Sequence, residues 1–441
     1  MNSKPSEQLR LSLTRDNCNT LANHSEHPVE TNLLERILDK VNLRKALRQV
    51  ERNGGSAGVD RMSVKKLRSY LKRNWPSLRE AILNGSYRPL PVLRVEIPKP
   101  GGGKRELGVP TVLDRFIQQA ILQVLQLIWE PQFSSNSYGF RPGRSAHQAV
   151  NQSQSYLRRG FIWVVDIDLE KFFDTVNHDL VMHKLRKEIS DRRVLRLINL
   201  YLRSGVLIGG SLHRTLEGTP QGGPLSPLLA NVLLDSLDRE LEKRGHRFVR
   251  YADDCNVYVR SRRAATRVLK SLSRYLLVKL KLNVNESKSA IGRAWERQFL
   301  GFSFSRTLKV CISEKSLKRF KGRVRQLTRR TRGHNIRTVI RELRLYLLGW
   351  FAYYNRSQYR SVFKELDSWI RRKLRCYLWK QWGRRGYREL RCRGVSRDLA
   401  WNTCKSAHGP WRLSRSPALS IALPGRYFLA LGLPCLYVQT T

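Results

Sequence analysis

Acid is scarce in this chain: 35 Asp and Glu face 83 Lys and Arg over 441 residues, leaving a net charge of +48 and a pI near 10.9. A compact fold carries that much like charge only beside a polyanion, and nucleic acid is the fitting one. An anionic membrane surface fits less well, because the basic residues spread over the whole length instead of gathering on one amphipathic helix. Cysteine is sparse as well. The seven (Cys18, Cys255, Cys311, Cys376, Cys392, Cys404, Cys435) are odd in number, scattered and without a C-x-x-C pair, which argues against a disulfide framework or a zinc finger. Reduced thiols in a cytosolic protein fit this usage. No apolar run reaches 18 residues and the N-terminus is polar, so neither membrane spanning nor secretion is expected. Internal repeats and low-complexity tracts are missing too.

What is present is a chain with 41% hydrophobic residues, long enough for two to four domains. Residues 1–30 are polar and without periodicity. From Asn32 an apolar face (Leu33, Leu34, Ile37, Leu38, Val41, Leu43, Leu47) predicts a helix ending near Gly54-Gly55-Ser56, with further helices over 64–71 and 77–83. Val92–Ile97 reads as a strand running into Pro98-Lys-Pro-Gly-Gly-Gly-Lys-Arg105 and out through Glu106–Val109, a basic-tipped hairpin whose glycines permit close backbone approach. Lys99 and Arg105 at its tip are candidates to grip a triphosphate. It is not a Walker loop, since G-K-[ST] is absent. Asp114–Trp129 is a buried helix by its pattern. Ser137-Tyr-Gly-Phe-Arg-Pro142 turns into a helix capped by Ser145, and its arginines, Arg141 among them, are either phosphate contacts or surface.

Phe161–Asp168 is an apolar run ending in acids, the pattern of a buried strand with a functional tip. Asp166 and Asp168 share a strand face, so periodicity does not choose between them. A helix is expected from Leu169. Thr219-Pro-Gln-Gly-Gly-Pro-Leu-Ser-Pro227 is a Gly/Pro-dense loop that constrains the approach of Gln221, followed by a helix over 228–241. Phe248–Val259 alternates apolar residues around Tyr251-Ala-Asp-Asp254, which predicts a β-hairpin with two adjacent carboxylates at its bend. Bare carboxylates so placed repel, and a divalent cation shared with a third acid would relieve them. A helix over 264–280, Lys288 in Asn285-Glu-Ser-Lys288, and a β-pair near 297–304 follow. Residues 311–441 hold thirty Lys and Arg against six Asp and Glu, a net +24, on about three helices whose other faces are apolar.

Taken together, these motifs resemble the group II intron-encoded reverse transcriptase/maturase family. The resemblance rests on Tyr251-Ala-Asp-Asp254, the Thr219–Pro227 loop, Ser137–Pro142, Asn285–Lys288, Phe299-Leu-Gly-Phe302, Gly349-Trp-Phe-Ala-Tyr-Tyr-Asn355 and an early Gly54–Asp60. It implies an α+β right-hand polymerase: fingers and palm with an antiparallel palm sheet, then an α-helical thumb/maturase domain. The implied division is a mobile 1–30, a helical extension over 31–90, fingers and palm over 91–310, thumb/maturase over 311–405 and a small DNA-binding-like segment over 406–441. The family's spacing of its strand-end Asp five residues before an aromatic selects Asp168 with Phe173. By resemblance, Asp168, Asp253 and Asp254 form the catalytic, metal-binding triad for two Mg²⁺ ions, with Mn²⁺ as a substitute. Phe173 gates against the ribose 2′-OH. Gln221, Lys99, Arg105 and Arg141 bind the nucleotide, and Lys288 contacts primer or template. The implied partners are the intron RNA, an RNA template with a DNA primer, target DNA and dNTPs. A monomer or homodimer in a bacterial cytoplasmic ribonucleoprotein is expected, with no membrane. Relatives with a DNA endonuclease carry a longer C-terminal domain with His and Cys-pair ligands; here only His408 follows His334, so insertion without second-strand cleavage is expected.

Overall fold

The computed structural model of the protein describes residues 32–98, 104–209, 211–213, 217–219 and 222–437. The expected helix after Asn32 is two, Leu33–Ile37 and Lys40–Asn53, because the Asp39 carboxylate accepts the Val41 and Asn42 amides and restarts the helix. Conversely, the two helices expected next form one, Val64–Leu83, that continues through Pro76. Its apolar side (Leu67, Leu71, Ile82) joins the main core, and Trp75 sets its ring edge-on to Phe116 at 5.9 Å. Tertiary packing there outweighs the hydrogen bond that proline removes.

Among the described residues there are eleven strands: β1 (Val92–Pro98), β2 (Lys104–Val109), β3 (Trp163–Ile167), β4 (Val206–Ile208), β5 (Ser211–His213), β6 (Arg247–Tyr251), β7 (Asp254–Val259), β8 (Ala290–Arg293), β9 (Gln298–Phe299), β10 (Phe302–Phe304) and β11 (Val310–Ile312). They form three sheets, ordered β2-β1-β4-β5, β6-β7-β3-β8 and β11-β10-β9. In the second, every pairing is antiparallel. Alternation along its strands sends Val165, Ile167, Cys255 and Val257 into one core, beneath the helices Val112–Trp129 and Ser226–Lys243. Val164, Val249 and Tyr258 enter a second core shared with the helix Ala146–Arg158. That helix starts on a complete Ser145–Gln148 capping box.

Helix Ser226–Lys243 lengthens the expected 228–241 by a proline-led first turn. The helix expected from Leu169 is instead a single turn, Phe172–Thr175, then His178–Glu188 with Asn177 as cap. Lys171 has φ 44°, and the Glu170 amide is already committed to the Asn283 carbonyl, so no helix starts earlier. The basic C-terminal part is helical as expected. Glu314–Leu327, Ile336–Tyr354 and Ser361–Trp382 are its long helices, built around Phe320, Trp350, Tyr354 and Phe363. Five short helices between Gly386 and Ala430 complete it. No helix among the described residues is long and apolar enough to cross a membrane.

Candidate active site

The hairpin β6–β7 closes on the pair Tyr251↔Asp254, leaving a two-residue bend of Ala252 and Asp253. Ala252 has φ 59°, a region that L-residues rarely enter and that concentrates at functional sites. The β3–β7 register ends at Ile167↔Cys255, and one further step sets Asp168 opposite Asp254. Asp168 and the Asp253–Asp254 pair, from two segments far apart in sequence, therefore stand at one end of one sheet. Asp166 lies on the same face, one pair further in, opposite Asn256.

A second segment clamps Asp168. Its amide donates to Ser289 Oγ at 2.9 Å, and its carbonyl accepts the Asn285 amide at 2.8 Å. Lys288 Nζ stands 3.4 Å from Asp168 Oδ1. The electrostatics record crowded negative charge. The Asp254 carboxyl, although open to the cleft, is pushed up to about 7 by shielding from solvent and then by Asp253, Asp166 and Asp168, with Lys288 opposing. Asp166 rises to about 6, from burial first, eased by Arg297 and reinforced by Asp168. Hard carboxylate oxygens whose ionisation is held back by each other suit a divalent cation such as Mg²⁺. Among the described residues no three His, Cys, Asp or Glu side chains are already gathered as a metal shell. The fit lies in donor chemistry and charge.

Behind the bend lies a network that sequence reasoning missed. Arg250, fully buried, forks onto the Asp238 carboxylate, with Nε at 2.7 Å from Oδ1, and donates from one terminal nitrogen to Asn231 Oδ1 at 3.0 Å and to the Ala252 carbonyl at 2.9 Å. Asn231 in turn donates to the Gly139 carbonyl at 2.9 Å. The signal was an arginine in an otherwise apolar strand, and an aspartate between Leu234 and Leu241 on a helix's buried side.

The remaining candidates separate. Phe173 is half-buried beside β1 and β2, and its carbonyl accepts the Thr219 amide, tying the Gly/Pro loop to it. A cavity of about 180 Å³ there is lined by Arg94, Gly108, Phe173, Glu217 and Thr219 among others. Gly222 abuts the same strands: a Cβ on it would fall 2.4 Å from the Gly108 carbonyl oxygen. Lys99 and Gln221 lie outside the described residues, as does the Arg105 side chain. Arg141 corrects the sequence reading. Its guanidinium points inward, bound to the Glu130 carboxylate and to the carbonyls of Glu130, Ser134 and Ser137, so all five donors are used inside the protein. It is a structural anchor, not a phosphate contact.

Against known families, the reverse transcriptase (RNA-dependent DNA polymerase) family matches residues 97–304, and the group II intron maturase-specific domain matches residues 317–394. The protein YkfC of Escherichia coli K12 is 34% identical over 272 residues, 52% of this chain and 71% of that protein. The chain belongs to the group II intron-encoded reverse transcriptase/maturase family. The intron-encoded protein LtrA of Lactococcus lactis is 40% identical over 161 residues, 36% of this chain but only 27% of LtrA. Among solved structures, telomerase from Candida tropicalis with a fragment of telomeric RNA superposes over 81% of this chain and 64% of that one, at TM-score 0.43 and 13% identity. In this reverse transcriptase/maturase the antiparallel sheet β6-β7-β3-β8 lies within the polymerase match, and the long helices Ile336–Tyr354 and Ser361–Trp382 lie within the maturase match. An RNA-directed DNA polymerase domain is thus joined to a domain of RNA-splicing proteins.

Proposed function

We propose that this chain copies RNA into DNA at the Asp168–Asp253–Asp254 bend and holds its own intron RNA on the basic helical region, promoting splicing and supporting mobility by target-primed reverse transcription. The observation that carries this reading is the β3–β7 register, which sets Asp168 against the hairpin bend. Asp168, Asp253 and Asp254 would hold two Mg²⁺ ions, which supply activation of the primer 3′-OH and charge neutralisation on the leaving pyrophosphate. Phe173 excludes a ribose 2′-OH and so favours dNTPs. Gln221 lines the pocket, while Lys99 and Arg105 hold the triphosphate. Lys288, beside Asp168, guides primer or template into the cleft. The partners are the intron RNA, a primed RNA template, target DNA and dNTPs, and the protein works as a monomer or homodimer in a cytoplasmic ribonucleoprotein.

Primer extension on poly(rA)/oligo(dT) with dTTP and Mg²⁺ tests it. Asp253→Asn is expected to abolish synthesis while RNA binding persists; a variant that extends primers at the unaltered rate sinks the assignment. Splicing of the flanking intron at low Mg²⁺, with and without protein, tests the RNA-holding role separately.

A further inference from the structure

One aromatic ring near the site has no place in the machinery described so far. Phe140 is 48% exposed, and its backbone sits at φ 60°, an uncommon and costly conformation for a residue with a side chain. Everything on either side of it is fixed. The Tyr138 amide donates to the Arg250 carbonyl at 2.9 Å, and Asn231 holds the Gly139 carbonyl. Gly139 presses its backbone against Ala252. Arg141 is locked by its five internal donors. A segment pinned on both sides of Phe140, at Tyr138, Gly139 and Arg141, thus projects one phenyl ring towards Phe173. That ring meets Phe173 edge to face, with centroids 6.4 Å apart and planes at 71°. Phe172 supports Phe173 from another side at 5.2 Å.

We propose that Phe140 is a positioning residue for sugar selection: its ring braces Phe173 so that the gate cannot yield to a 2′-hydroxyl. A gate discriminates only as sharply as its walls resist displacement, because a ring free to tilt makes room for one extra oxygen. Phe173 sits on a single helical turn, Phe172–Thr175, behind the left-handed Lys171, with its ring only half-buried. The main chain of that turn is bonded to the Thr219 segment, and Phe140 supports the ring itself from the side. The strain at Phe140 and Ala252 is borne in common, since Arg250 and Asn231 hold both segments at once. The proposal rests on the polymerase reading above and deepens it.

The test measures kcat/KM for dTTP and for UTP on poly(rA)/oligo(dT) in the unaltered protein, Phe173→Ala, Phe140→Ala and Phe140→Tyr, and reads their ratio instead of either rate. Phe173→Ala should erase most of the preference for dTTP. Phe140→Ala should cut that preference about tenfold, chiefly through a lower KM for UTP, the size expected when one apolar contact is lost from a specificity pocket. Phe140→Tyr, which keeps the ring, should restore it. A preference unchanged in Phe140→Ala while Phe173→Ala loses it overturns the brace and leaves the gate standing. A preference unchanged in both overturns gate and brace together, and an unaltered protein that makes no DNA overturns the polymerase reading itself.

Discussion

Gly139 and Ala252 meet backbone to backbone: a Cβ built on Gly139 would lie 2.2 Å from the Ala252 amide nitrogen and 2.8 Å from the Tyr251 carbonyl carbon. The obstacle is main chain on both sides, so no rotamer change relieves it. Gly139→Ala must therefore move the hairpin bend that carries Asp253 and Asp254. We expect a loss of about 1–3 kcal/mol in unfolding free energy, read by urea denaturation, together with a fall in primer extension well beyond what that loss explains. Normal extension by a folded Gly139→Ala protein would show that the bend is not held by this contact.

Arg250 and Asp238 are both fully buried, and their charges meet only within the protein. Removing one partner leaves the other unsolvated, so Asp238→Leu should destabilise by about 3–5 kcal/mol. Replacing both, Arg250→Met with Asp238→Leu, should recover most of that. Because Arg250 also bonds the Ala252 carbonyl, the double variant should regain stability without regaining polymerase activity. Denaturation curves and primer extension on the same samples separate the two effects. Recovery of both would reduce the pair to a packing element.

Much of this was legible before any coordinates. The alternation around Tyr251–Asp254 announced the hairpin, and the apolar run before Asp168 announced the strand, because both signals are local. The three helices of the basic region followed from their 3.6-residue period. Partners chosen by tertiary packing were not legible. Nothing in Ser137–Pro142 says that Arg141 turns in towards Glu130 and away from a phosphate, and nothing near Asp168 says that Ser289 will bond its amide. The expected break between residues 71 and 77 fails for the same reason: the sequence there holds a local breaker, Pro76, while the packing of Trp75 on Phe116 that carries the helix past it is not local. Asp166 and Asp168, indistinguishable by period, part company only in register, where Asp166 faces Asn256 and Asp168 comes opposite Asp254.

Arg141, recast as an anchor, gives a prediction opposite to its sequence reading. Arg141→Ala leaves the Glu130 carboxylate and the Ser134 and Ser137 carbonyls short of donors, at a cost of about 1–3 kcal/mol. Melting temperature should fall, whereas the KM for dTTP measured below the melt should change little. Arg141→Lys should rescue only part, because an ammonium cannot reproduce the planar fork. A selective rise in KM with unchanged stability would return Arg141 to the nucleotide.

Asp254 and Asp166 make stability depend on pH in a definite direction. Their folded values, about 7 and about 6, lie above the ordinary carboxylate value near 4 that the unfolded chain restores. The folded protein therefore binds more protons than the unfolded one between about pH 4 and pH 7, and these two groups lower stability as pH rises through that window. Below it their penalty is absent, because both states are protonated. A divalent cation prefers the ionised carboxylates, so Mg²⁺ should raise the melting temperature more at pH 8 than at pH 5.5. Asp254→Asn should flatten the pH slope and shrink the Mg²⁺ effect. Thermal melts over pH 4.5–8, with and without MgCl₂, provide the check, and an equal Mg²⁺ shift at both pH values would place the cation elsewhere.

On the long helix Ser361–Trp382, Arg371, Arg372 and Arg375 donate to neutral acceptors: Ser368 Oγ, Ser414 Oγ with the Trp411 carbonyl, and the Leu423 carbonyl. Their positive charge is thereby oriented without being neutralised, which suits phosphodiesters. RNA affinity should fall steeply with salt, each lost phosphate contact being worth about 0.7–0.9 in the slope of log K against log salt. Replacing the three arginines by alanine should flatten that slope by about 2 while leaving extension of a short, saturating primer–template unchanged. Filter binding of intron RNA across a salt series measures it. A slope equal to that of the unaltered protein would mean that the RNA lies on another face, for removing these charges would then cost no phosphate contact.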